Sequence, residues 1–321
     1  MKLATWAKQR TDPALIETNG GNRQRGRESS HTPRVRFHYR FPILHLPYSS
    51  RDCCRFTTFS AGCPMRGRTL AFPRNRRLVL DICQAARSVP TFPVERILQL
   101  HPVQQARQNA PVRISWVALF LRAYGLVSQA IPELRQVFVT YPWNRLYEHP
   151  HAVASVSIHR EDPEGGKRLI WARINHLEEK GLLEIQDILD QSVKGPLHEV
   201  FKDGVRMERI PTPLRRLSWW LAMRWHGRQK AKKIGTCSIS TLAGENTLNR
   251  FHPLIVTTSL AYARCDASGA CLVTLLADHR VLDGMLAAQV LHRIEHSLNH
   301  EITDELRRLS LTSSPLPTAA G

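Results

Sequence analysis

From residue 70 onward, apolar positions recur in two distinct periods. Leu78, Ile82, Ala85 and Ala86 share one face of a helix over Arg77–Val89 that stops before Pro90. Ser115 is a candidate cap for a helix over Trp116–Ile131. There Trp116, Leu119, Phe120, Ala123, Val127 and Ile131 line one side, and Pro132 ends it. Leu182, Ile185, Ile188 and Leu189 mark another helix. Strand-like runs occupy Val153–Ile158 and Arg168–Ile174, joined by a Pro163–Gly166 turn. Three more follow at Ile234–Ser240, Leu254–Ala263 and Cys271–Ala277, the last two linked by a turn at Cys265–Gly269. Leu286, Val290, Leu291, Ile294 and Leu298 predict a closing helix over roughly Gly284–Asn299. Mixed helices and strands, with consecutive strands late in the chain, predict an α/β or α+β two-layer sandwich. No internal repeat is present.

Residues 1–69 read differently. They are rich in Arg, Gly, Ser, Thr and Asn and carry no sustained period, as in Thr18–Arg27. Such a segment buries too little apolar surface to offset its chain entropy and is expected to be a disordered basic extension. A translation start at Met65 is the competing reading. Residues 70–302 are expected to form the main domain, and 303–321 a flexible tail. The chain holds 45 Lys+Arg against 27 Asp+Glu, a net charge of +18. Residues 1–64 hold 11 and 4 of these, so 11 − 4 = +7 lies there and +11 in the remainder. Such a charge suits polyanionic partners, but no nucleic-acid reader motif accompanies it, which weighs against nucleic acid. The seven cysteines (53, 54, 63, 83, 237, 265 and 271) are odd in number and match no zinc spacing. They read as reduced thiols of a cytoplasmic protein without a metal. No run approaches the ~18 apolar residues of a membrane span, and the polar N-terminus shows no secretory signal.

The chemistry concentrates in Asp278-His279-Arg280-Val281-Leu282-Asp283-Gly284, between the last strand and the closing helix. A histidine where a strand gives way to a loop can project into a cleft while the sheet holds its backbone. It is a candidate general base. Asp283 can stabilise the turn, and Gly284 can permit reversal into the helix. Arg280 is expected to pair with a carboxylate. For a bare histidine with an aspartate four residues on, an ordinary surface charge pair is the commoner outcome.

The full heptapeptide resembles the signature of the catalytic domain of 2-oxo-acid dehydrogenase acyltransferases, relatives of chloramphenicol acetyltransferase. Further resemblances follow in family order over about residues 70–302. They are the helix and proline of Arg77–Pro90, the helix ending in Ile131–Leu134, the acidic-then-apolar Leu177–Ile185, and Ile234–Leu242, which resembles the family's Gly-Thr strand. The resemblance implies a chloramphenicol acetyltransferase-like fold and a homotrimer with active sites between subunits. It implies coenzyme A or an acyl-coenzyme A as substrate, and an acyl-thioester donor with a small or carrier-borne acceptor. His279 would then deprotonate a thiol, whose pKa near ~8.5 leaves little thiolate at neutral pH. Ser240, with Thr241 as the neighbouring alternative, would donate to the oxyanion. Asp283 would hold the loop.

The chain departs from the family in two places. It has no lipoyl-attachment turn, so it reads as a stand-alone catalytic domain. Residues 205–233 interleave Trp219, Trp220 and Trp225 with nine cationic residues. A helix packing its Trp face on the sheet, a membrane-surface helix and a polyanion site are the three readings. A non-catalytic trimeric scaffold is the alternative to an enzyme.

Overall fold

The computed structural model describes residues 68–162 and 166–312. The expectations for residues 1–67, for the tip of the 163–166 turn and for the tail at 313–321 therefore concern positions outside those described. Helix α1 spans Arg77–Ala86 and leads into strand β1, Thr91–Gln99. Helices α2 (His101–Gln108) and α3 (Trp116–Ala130) follow, and Ser115 caps α3 by accepting from Ala118 N at 3.2 Å. A two-stranded ribbon of β2 (Gln136–Val139) and β3 (Arg145–Glu148) precedes the hairpin of β4 (Ala154–Asp162) and β5 (Gly166–Ile174). Helices α4 (Leu182–Lys194), α5 (Leu197–Val200), α6 (Lys202–Arg209), α7 (Thr212–Arg224) and α8 (Gly227–Lys233) fill the middle of the chain. Strands β6 (Cys237–Ile239), β7 (Thr258–Tyr262) and β8 (Ala270–Asp278) complete the sheet. The chain then runs through α9 (Gly284–Ser297), a π turn at Leu298–Ile302, and α10 (Thr303–Thr312).

The main sheet has the order β1-β8-β7-β6-β4-β5. Strands β4, β6 and β7 run parallel to one another, and the other pairings are antiparallel. One face carries the large core. Cys237, Ile239, Leu260, Tyr262, Val273, Leu275 and Ala277 pack there with Leu119, Phe120 and Ala123 of α3 and Val290, Leu291 and Ile294 of α9. The alternate residue Leu276 points to the other face, against Val89, Leu254 and Val256. This is the mixed α/β sandwich that the sequence predicts.

Four findings correct the sequence reading. Strand β1 is absent from the strands the sequence predicts: it lies at the sheet edge, where Pro93 costs no ladder bond and Ile97 stays 59% exposed, so no clean alternation marks it. The residues 303–312, read as the start of a tail, are helical. Leu306 is fully buried, and Glu305 accepts from Leu182 N at 2.8 Å and pairs with Arg122 at 3.1 Å. Leu306 continues the i, i+4 register of Leu298 and Ile302, and so closes the core. Residues 205–233 do not lay a Trp face on the sheet. Trp220 and Trp225 remain exposed, Trp225 against Tyr141 with ring centroids 4.4 Å apart, and the one side chain α7 fully buries is Arg215, which pairs with Asp81 of α1. Finally, Gly284 has no positive φ and open space where a Cβ would stand, so the turn into α9 does not require glycine.

Candidate active site

Strand β8 is buried almost throughout and delivers Asp278, itself only 2% exposed, to the sheet end. Asp278 fixes the turn that follows. Its carboxylate accepts from Arg280 Nε at 2.8 Å, from Nη2 at 2.6 Å and from the Arg280 backbone N–H at 3.1 Å. This bidentate pair is the carboxylate partner expected for Arg280. Val281 and Leu282 return their N–H groups to Asp278 O at 2.9 and 3.0 Å, and Leu282 is buried.

Between these anchors His279 is exposed. Its backbone N–H donates to Pro90 O at 2.9 Å, and its ring lies 4.5 Å from that of Phe92 at the start of β1. The exposed imidazole thus has one ring contact, and among the described residues its nitrogens have no hydrogen-bond partner. Asp283 caps α9, accepting from Leu286 N at 2.8 Å. That capping is what a loop-holding residue does.

Ser240 follows β6. Gly235, at φ +113°, opens this segment, and a Cβ there would stand 2.9 Å from Val153 O, so glycine is required. Cys237 and Ile239 face the main core, so Ser238 and Ser240 face away from it. The Ser240 N–H donates to Leu260 O at 3.0 Å, and among the described residues its hydroxyl has no hydrogen-bond partner. Thr241 differs: its Oγ1 donates to Tyr262 O at 3.0 Å and accepts from Ala243 N at 3.1 Å. Of the two neighbouring hydroxyls, only Ser240 is free to meet a ligand.

The sheet register separates Ser240 from His279. Ile239 pairs with Leu260, and Ala261 with Thr274, which places Ser240 level with Thr274. His279 lies five residues further along β8, about 16 Å at ~3.3 Å per residue, and two strands across. One chain does not bring the two side chains together.

Two polar features escaped the sequence reading. Lys230, 2% exposed, donates from Nζ to Phe138 O at 3.0 Å and lines a cavity of about 240 Å³ with Ser88, Thr140, Met223, Arg224 and Arg280. Burial first, then the Arg280 charge, lowers its pKa to about 8. Its place in a run of Lys and Arg carries no sign of this burial. His252 Nε2 lies 2.8 Å from Ser259 Oγ, which accepts from Ser238 Oγ at 2.7 Å, and burial lowers the His252 pKa. No spacing in the sequence links these three.

No protein-family profile matches the sequence, and no curated protein matches it. Solved structures do. A probable dihydrolipoamide acetyltransferase from Listeria monocytogenes 4b F2365 aligns at 13% identity over 78% of this chain and 98% of that one, with a TM-score of 0.51. The dihydrolipoamide acetyltransferase of Azotobacter vinelandii aligns at 14% identity over 75% and 94%, with a TM-score of 0.53. It was studied for the role of a serine, a histidine and an asparagine in its catalytic mechanism, the last two four positions apart. The cubic core of a pyruvate dehydrogenase multienzyme complex aligns at 15% identity over 75% and 94%, with a TM-score of 0.50. The chain has the fold of these acyltransferase domains. Among the described residues no helix is long and apolar enough to cross a membrane.

Proposed function

We propose that this chain is a coenzyme A-dependent acyltransferase acting as a homotrimer, with His279 of one subunit and Ser240 of the next completing each site. The observation that carries this reading is the split placement: an exposed imidazole at one end of the sheet and a free hydroxyl at the other. His279 and Asp283 also keep the four-residue spacing of the histidine and asparagine studied in the Azotobacter enzyme. A cubic core has three-fold axes, so trimeric contacts suit this fold.

His279 takes the proton of an acceptor thiol, and the thiolate sulfur attacks the carbonyl carbon of an acyl thioester. The carbonyl π electrons move to oxygen, where the Ser240 hydroxyl donates to the developing charge. The tetrahedral adduct collapses, the carbon–sulfur bond to the donor breaks, and the departing thiolate takes the proton back from His279. Coenzyme A is one of the two thiols. A positioned base of this kind contributes ~10²–10⁴ in rate. Asp283 contributes by capping α9 and carries no proton.

The test is acyl transfer from acetyl-coenzyme A to thiol acceptors by the wild type and His279→Ala, with the oligomer followed by light scattering. The expected result is a loss of about 10²–10⁴-fold with an unchanged assembly. Retained turnover sinks the assignment. A wild type that assembles as a trimer yet binds no acetyl-coenzyme A would instead support a scaffold derived from this fold.

A further inference from the structure

We infer that His151, His176 and Glu179 form a binding site for a divalent transition metal of the zinc class, on a part of the fold the acyl-transfer reading does not use. The β4–β5 register creates the cluster. Ala154 pairs with Ile174, so His151, ahead of β4, and His176, after β5, flank the same hairpin end. Their ring centroids lie 4.0 Å apart. One nitrogen of each ring and one Glu179 oxygen lie within 4.8 Å of one another.

His176 Nδ1 stands 3.5 Å from Glu179 Oε2, close to the roughly 3.3 Å between neighbouring ligands of a tetrahedral zinc with bonds of ~2.0–2.1 Å. His151 is backed by a carboxylate: its Nδ1 lies 2.7 Å from Glu178 Oε1, and Glu178 Oε2 accepts from Ala152 N at 3.0 Å. The Glu178 side chain is 7% exposed and so holds a fixed position. The same Nδ1 lies 3.5 Å from Glu179 Oε1; the tautomer with Nδ1–H donated to Glu178 would leave Nε2 the lone pair a metal takes, with the carboxylate fixing the ring. His176 adopts a left-handed backbone, φ 54° and ψ 50°, which is uncommon for a non-glycine residue and typical of functional positions. Two imidazoles and one carboxylate leave a fourth position for water, and this donor set suits Zn²⁺ or Co²⁺.

The experiment titrates the full-length, metal-stripped protein with Zn²⁺ by calorimetry and with Co²⁺ by visible absorption. One ion per chain is expected, with a tetrahedral Co²⁺ band. Glu179→Gln, at a side chain 60% exposed, and His176→Ala each weaken binding by at least about tenfold, and Glu178→Gln by about 10–100-fold. His296→Ala/His300→Ala, which removes another close imidazole pair at 4.3 Å, leaves binding unchanged. Absence of stoichiometric binding, or binding that survives Glu179→Gln and His176→Ala together, overturns the site. Acyl transfer is assayed separately, so failure here leaves the acyltransferase reading standing.

Discussion

Mixing two inactive chains tests the shared site. The perturbation is co-expression of His279→Ala and Ser240→Ala chains carrying different affinity tags, with tandem purification of assemblies that contain both. Base and oxyanion donor must each lie about 3 Å from the reacting centre, so within roughly 6 Å of one another. The register puts them about 16 Å apart along the strands of one chain. In a cyclic trimer each site takes His279 from one subunit and Ser240 from the next. Both possible mixed trimers then hold one intact site in three, whichever chain is in excess. The expected turnover is therefore about one third of wild type per trimer. The Ser240→Ala parent retains only about 10⁻²–10⁻³ of wild-type rate, and His279→Ala about 10⁻²–10⁻⁴. Formation of the acylated acceptor thioester from acetyl-coenzyme A, separated by chromatography, distinguishes these levels by more than tenfold. Mixed trimers no more active than their parents would refute the shared site and place base and donor elsewhere.

Two further outcomes follow from the same geometry. Asp283→Asn should preserve kcat, because asparagine caps a helix as well as aspartate does, whereas Asp283→Ala should cost about 0.5–2 kcal/mol of stability in urea; a collapse of kcat in the asparagine variant would make Asp283 a proton carrier. Lys230 has its folded pKa lowered from 10.5 to about 8, so between those values the unfolded chain binds more protons and stability rises with pH. That contribution is on the order of 3 kcal/mol. Cys237, pushed up to about 12 by burial, acts in the opposite direction above its unfolded pKa, so the quantity to measure is the wild-type minus Lys230→Met difference in urea stability from about pH 7.5 to 10.5. A flat difference would show that the Lys230 ammonium is not desolvated.

Local pattern was sufficient where each element answers to its own neighbours. Helices α3, α4 and α9 and strands β4, β5 and β8 fall where the period of apolar residues puts them, because each buries a continuous face against one core. The heptapeptide around His279 was legible for the same reason: a strand end, a turn and a cap are local. Edge strand β1 left no alternation, since solvent rather than packing meets most of its side chains. Only the folded chain distinguished Ser240 from Thr241, by committing one hydroxyl to Tyr262 O and leaving its neighbour free. Only the register set Ser240 and His279 at opposite ends of the sheet, and brought together His151 and His176. Distances between residues far apart in the chain follow from strand order and pairing, which no local spacing encodes. Residue identity and local spacing name the groups capable of chemistry; strand order and register select which of them can meet.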